Sequence, residues 1–265
     1  MRTSIIVTTY NRPDALRLVL QSIFHQSRLP DEIVIADDGS GEDTRKLILS
    51  LSRQSPVPMI HAWQEDLGFR ASRARNLAAS KAQGDYLVFI DGDMVLHRKF
   101  VYSHLRVARN NWLLHGKRAM LRNRKTQRTL NKNLARISPF SPGIALRRYA
   151  WHSDLLSGLL SHPSGNWFDT QSANLSLWKK DLIAVNGFNE DFVGWGREDS
   201  ELALRLSRHG VRKLEIRFSA IAFHLAHGKD NKHKDPESAV RNQDILDQTL
   251  QSGLIRCANG IDKHL

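Results

Sequence analysis

The feature that most constrains this chain is an alternation in its first ninety residues, where short, continuous apolar runs are separated by amphipathic stretches. "SIIVTTY", "DEIVIADDGS", "PMIHAWQ" and "DYLVFI" read as strands, and "NRPDALRLVLQSIFHQ", "EDTRKLILSLSRQ" and "SRARNLAASKAQG" as the helices between them. Strands with unbroken runs such as "IIV", "IVIA" and "YLVFI" are buried on both faces. The predicted class is therefore α/β, a mostly parallel sheet flanked by helices. In the first helix Asn11 is the expected cap and Pro13 suits the first turn, with Leu16, Leu20, Ile23 and Phe24 as the apolar stripe. Gly84 is the expected stop of the third.

In such sheets ligands bind beyond the carboxyl ends of the strands. "TTYN", "DDGS" and "DGD" all fall there. Asp91 and Asp93 end the run "YLVFIDGD" with only Gly92 between them. Two carboxylates beside phosphate oxygens suit Mg2+ or Mn2+, although such a pair also occurs in turns that merely keep a strand end soluble. "HLAH" supplies His224 and His227, whose spacing could bring both imidazoles to one ion and favour Mn2+; two close histidines among twelve are also unremarkable. "GWGRED" sets Glu198 and Asp199 at the start of a helix, where simple capping explains one acid. It does not explain Trp195 between two glycines, which suggests a sugar-stacking ring beside a carboxylate base.

The second half is less regular. "KFVYSHLRVARNN" reads as a helix, and "NWFDTQSANLSLWKKDLIAVNGF" as a strand, a turn and a helix. "REDSELALRLSRHG" predicts a helix with Leu202, Leu204 and Leu206 inward and Gly210 as its stop. "KLEIRFSAIAFHLAH" is β-rich, and "PESAVRNQDILDQTLQSG" predicts a final helix. One domain is expected over 1–265, with one half at 1–95, a second at 96–230 and a helical tail at 231–265.

The formal charge of +12 is concentrated. Between Asp93 and Asp154 there is no acidic residue, and "GKRAMLRNRKTQRTLNKNLAR" (116–136) is densely basic. Such a face attracts nucleic acid, anionic lipid or a phosphorylated substrate, or is simply solvated. The single cysteine, Cys257, excludes an internal disulfide and a cysteine zinc cluster. "MRTSIIVTTYN" lacks the shape of a secretory signal and no apolar run reaches membrane-spanning length. A cytoplasmic location is expected, extending to peripheral contact at the inner face of the membrane.

"IIVTTYNRPDALRLVLQSI", "ADDGS", "ARNLAASKAQGDYLVFIDGD" and "GFNEDFVGWGREDSELALRL" together resemble glycosyltransferase family 2 enzymes of the GT-A fold, in particular bacterial chondroitin-polymerase-type domains. The last segment also resembles the carboxy-terminal part of the β-1,4-galactosyltransferases, including a histidine shortly before "KDNK". The resemblance covers residues 3–100 and 166–232. It implies a nucleotide-binding, mostly parallel sheet with a smaller mixed acceptor-side subregion. It also implies that Thr8, Tyr10 and Asp38 hold the uridine, and that Arg75 lies near the base and diphosphate. Asp93 and His227 become metal ligands, with His224 in the neighbouring ligand position and Asp91 on ribose or a metal-bound water. Asp199 matches the general base, with Glu198 beside it in the acceptor pocket and Trp195 framing donor and acceptor.

The implied reaction is metal-dependent, inverting transfer of a hexose or N-acetylhexosamine from a UDP-sugar to a cell-surface glycan such as lipopolysaccharide or capsule. Segment 116–148 carries no recognisable motif, and its charge suits an acidic or phosphorylated glycolipid acceptor, an anionic membrane surface or a solvated lid. A nucleotidyltransferase would want a glycine-rich phosphate loop after the first strand, which "TTYNRPDAL" does not supply. A non-catalytic nucleic-acid-binding protein would show steeply salt-dependent binding but gives no reason for Asp91, Asp93, Glu198 and Asp199. No nucleic-acid partner is expected.

Overall fold

The expected alternation forms in order: β1 (Thr3–Thr9), α1 (Pro13–Phe24), β2 (Glu32–Asp37), α2 (Glu42–Ser52), β3 (Met59–Trp63), α3 (Ala71–Lys81) and β4 (Tyr86–Asp91). There follow β5 (Met94–Leu96), α4 (Phe100–Val107), β6 (Trp112–Gly116), β7 (Arg118–Leu121), α5 (Asn123–Asn131), β8 (Ile144–Ala145), α6 (Asp154–Leu160) and β9 (His162–Pro163). The chain continues through β10 (Asn174–Trp178), α7 (Lys179–Ala184), α8 (Glu198–Arg208), β11 (Arg212–Ile216), β12 (Ala222–His224) and α9 (Pro236–Ser252). These elements belong to a computed structural model that describes residues 1–227 and 235–265; "KDNK" (229–232) lies outside the described residues.

Among the described residues, the large sheet has the order β3-β2-β1-β4-β10-β6-β11-β9. β3, β2, β1 and β4 are parallel throughout, β10 runs antiparallel between β4 and β6, and β11 again runs parallel to β6. Strand side chains alternate between faces, so each face grows its own core. Ile5, Val7, Ile33 and Ile35 meet Leu16, Val19 and Leu20 of α1 and Leu47 and Ile48 of α2. Ile6, Val34, Leu87 and Phe89 meet Ala74 and Ala78 of α3 and Leu202 and Leu206 of α8 on the other face. The small residues of α3 let that helix lie close against the sheet.

The order 3-2-1-4 reverses direction at β1, which puts a crevice beyond the ends of β1 and β4. A second, four-stranded sheet, β5-β12-β7-β8, stands beside it. Val95, Ala119, Phe223 and Leu225 of that sheet region pack on Ala15 and Leu18 of α1. This is the smaller mixed subregion, and it aligns His224 opposite Met94, one residue beyond Asp93.

Three local expectations are corrected. Asn11 does not cap α1; Arg12 occupies that position, and the Asn11 side chain instead accepts from Gly41 N at 2.8 Å, tying the first two crossover loops together. Gly84 does not end α3 in a left-handed turn, because the helix stops at Lys81 with Ala82 extended. A Cβ at Gly84 would stand 2.4 Å from Ser4 Oγ, so the glycine answers a close approach to β1. Leu204 is only partly buried, while Glu201 and Arg205 are wholly so. Arg205 donates to both Glu201 oxygens at 2.7 and 2.8 Å, and this bidentate pair takes the inward helical face the leucine pattern was expected to fill.

Candidate active site

The carboxyl ends of β1, β2 and β4 lie on one edge, as their parallel registers require. Gly92 explains the spacing of the two aspartates. Its N–H donates to Thr8 O at 2.6 Å, and a Cβ there would approach that same oxygen to 2.7 Å. A bare backbone thus turns tightly against β1, and the two acids are sent to different partners.

Asp93 goes to the second sheet. Its Oδ2 lies 3.0 Å from His227 Nε2 and 3.6 Å from His224 Nε2, and the two imidazole nitrogens are 3.1 Å apart. Asp93 Oδ1 and His224 Nδ1 are buried with no hydrogen-bond partner among the described residues. Burial lowers the His224 pKa against the pull of Asp93, which favours the neutral form that a metal ligand requires. One ligand atom from each of Asp93, His224 and His227 lies within 4.8 Å of the others, so the three side chains can close on a single ion. A mixed carboxylate and imidazole set fits Mn2+ better than Mg2+.

Asp91 goes to Arg75 on α3. The buried guanidinium sits 3.4 Å from Asp91 Oδ1, 3.3 Å from Glu198 Oε1 and 3.8 Å from Asp199 Oδ1, while its Nε donates to Thr8 Oγ1 at 3.3 Å. Burial opposes its charge, but Asp199, Asp91 and Glu198 outweigh that and raise its pKa. Three carboxylates around one cation leave negative charge in excess. Burial, and then Asp199, pushes Glu198 up to about 7. Asp199 is held by Ser172 N, which donates to its Oδ2 at 3.0 Å, while its buried Oδ1 has no hydrogen-bond partner among the described residues. Glu198 and Asp199 at the start of α8 therefore both reach other elements of the protein, which capping alone does not explain.

Asp38 lies buried just past β2, accepting from Gln64 Nε2 at 2.5 Å and from Arg70 N at 2.8 Å. Burial nevertheless raises its pKa to about 6. Tyr10 donates to Asp66 Oδ2 at 2.8 Å at the mouth of the crevice. Trp195 is half exposed between Gly194 and Gly196, whose φ angles of +83° and +110° make the sharp entry to α8. The sequence reading missed Arg12, whose Nη1 stands 3.4 Å from Asp93 Oδ2 and 3.0 Å from His227 Nδ1. Its place in the loop directly after β1 was the available signal. Gln64, Arg70 and Ser172 were missed too, because two of them act through backbone N–H groups that no side-chain motif reports.

Residues 4–155 match the family model described as glycosyl transferase family 2, and residues 162–233 match one described as the N-terminal domain of galactosyltransferase. A validoxylamine A glucosyltransferase of Streptomyces hygroscopicus subsp. limoneus is 30% identical over 220 residues, covering 78% of this chain and 48% of that protein. The chondroitin synthase of Escherichia coli is 26% identical over 248 residues, covering 86% of this chain and 35% of that protein. The chain thus spans about half or less of the length of these two relatives. The crystal structure of GalNAc-T7 with UDP, GalNAc and Mn2+ shares the fold at a TM-score of 0.68 and 13% identity, covering 96% of this chain and 49% of that one. With its first 155 residues matched almost throughout and its sheet order in place, the chain belongs to glycosyl transferase family 2 and has the GT-A fold.

Proposed function

We propose that the chain transfers a hexose or N-acetylhexosamine from a UDP-sugar to a hydroxyl of a cell-surface glycan, with inversion and with Mn2+ (or Mg2+) as cofactor. The observation that carries this reading is the convergence of Asp93, His224 and His227 beside the Arg75 cluster at the carboxyl end of β4. Asp93, His224 and His227 would hold the cation. When bound, it would take up negative charge growing on the leaving diphosphate. Thr8, Tyr10 and Asp38 line the edge where a uridine would lie, with Asp38 ionised above about pH 6 to accept from the base or ribose. Arg75 supplies fixed positive charge between the donor edge and the acids of α8.

Asp199 takes the acceptor proton on Oδ1, the oxygen that accepts no hydrogen bond among the described residues, as the hydroxyl oxygen forms its bond to the anomeric carbon. The bond from that carbon to the phosphate oxygen breaks, and its electron pair leaves with UDP. Attack from the face opposite the leaving group inverts the centre without a covalent intermediate. Trp195, half exposed and four residues before this base in sequence, would offer its ring to a sugar face. The acceptor is an acidic or phosphorylated glycan or glycolipid, a reading supported by the acid-free stretch between Asp93 and Asp154.

Water serves as a surrogate acceptor for the test. NMR of UDP-glucose, UDP-galactose and their N-acetylated forms, with Mn2+, should show one of them releasing the β-anomer first, and chelation should stop release. Release of the α-anomer would overturn inversion, and turnover undiminished by chelation would overturn the metal.

A further inference from the structure

A surface helix ordinarily turns its apolar stripe inward. Helix α6 does the reverse. Ser157 is its buried side chain, with its Oγ 2.8 Å from Ser219 Oγ, while Leu155, Leu156, Leu159 and Leu160 are 74%, 39%, 71% and 44% exposed. Just before the helix Trp151 is exposed as well, packed edge-on against exposed Phe140 with ring centroids 4.8 Å apart.

The exposed charge around this apolar surface is mainly basic, and the nearby acid Glu215 is buried and paired with Arg217 at 3.4 Å and Lys117 at 3.6 Å. Arg147 and Arg148 are exposed in the turn leading to Trp151. At the far end, exposed Arg217 donates its backbone N–H to Ser161 Oγ, the residue that follows α6. The acid at the start of the helix, Asp154, is paired with Lys99 at 3.1 Å and Arg106 at 3.6 Å.

We propose that α6 and the Phe140–Trp151 pair form an interfacial docking site for an anionic lipid bilayer. The leucines enter the headgroup and acyl boundary, the tryptophan sits at headgroup level, and the arginines meet lipid phosphates. Charge complementarity selects this occupant. A second copy docking through the same face would bring two arginine rims together, whereas an anionic surface satisfies both the leucines and the arginines. No described helix is long and apolar enough to cross a membrane, so the contact is one of lying on the surface. The site is independent of the donor cluster and stands or falls separately from it.

Co-sedimentation of the whole chain with phosphatidylglycerol–phosphatidylcholine vesicles, and with phosphatidylcholine alone, tests the assignment. Binding is expected to the anionic vesicles, to fade as salt rises, and to be roughly tenfold weaker for the Leu155→Ser, Leu159→Ser double variant. Arg147→Gln with Arg148→Gln should also weaken it. An unchanged unfolding midpoint and UDP affinity would show that the leucine variant still folds. The proposal is overturned if anionic vesicles do not bind the wild type, or if the leucine variant binds them equally. It is likewise overturned if the leucines instead support a concentration-dependent dimer that the variant dissolves.

Discussion

Helix α8 carries two buried clusters built from the same parts, and they behave differently. One turn into the helix, Glu201 and Arg205 are both fully buried and close on each other through two bonds of 2.7 and 2.8 Å. Arg205 also donates to the carbonyls of Val185 and Gly187, so four of its five N–H groups are engaged. At the first turn, Glu198 and Asp199 face Arg75 at 3.3 and 3.8 Å, with Asp91 as a third carboxylate at 3.4 Å. Here distances are long, acids outnumber the base, and one Asp199 oxygen has no hydrogen-bond partner among the described residues. A closed pair stabilises a scaffold; an open, overcharged one leaves capacity for a ligand and a proton.

That contrast is sharpened most by Asp199→Asn. It removes the proton acceptor but keeps the shape, so kcat should fall roughly 100- to 10,000-fold while UDP affinity holds. A fall in UDP affinity of similar size would reassign Asp199 to donor binding. Arg205→Ala should do the opposite. It strands a buried carboxylate, costing about 3–5 kcal/mol of stability by denaturant unfolding, with UDP affinity of the folded fraction unchanged.

A subtler difference appears with pH. Glu198 holds its proton more tightly folded than unfolded, its pKa rising from 4.5 to about 7 through burial and the Asp199 charge. Stability from that proton is complete below about pH 4.5 and is lost as pH rises through about 7. The unfolding free energy of wild type minus that of Glu198→Gln should therefore decline across this window. A flat or rising difference would place Glu198 in a better-compensated environment than its burial indicates.

The same contrast explains what could be read from sequence. The parallel sheet was legible because "IIV", "IVIA" and "YLVFI" are apolar without a break, and the site's edge followed from where their polar ends fall. Asp91 and Asp93 stood out because acids at the end of such a strand need a reason. Glu201 and Arg205 did not, since charged residues four apart on a helix read as solvated, and the leucines between them suggested a different inward face. The region from β7 to β9 was illegible for another reason. Its strands are two to four residues long, too short to show a period of two, and its basic residues give no inward pattern. α6 drew no expectation at all, and its four leucines lie exposed around a buried Ser157.

The central claim is that Asp93 and the two histidines accept a divalent cation that secures a nucleotide diphosphate. Calorimetric titration with UDP, with and without Mn2+, on wild type and Asp93→Ala tests it most directly. Tight binding only with Mn2+, lost in the variant while its unfolding midpoint is kept, is the predicted result. UDP binding indifferent to Mn2+, or equally strong in Asp93→Ala, would contradict it.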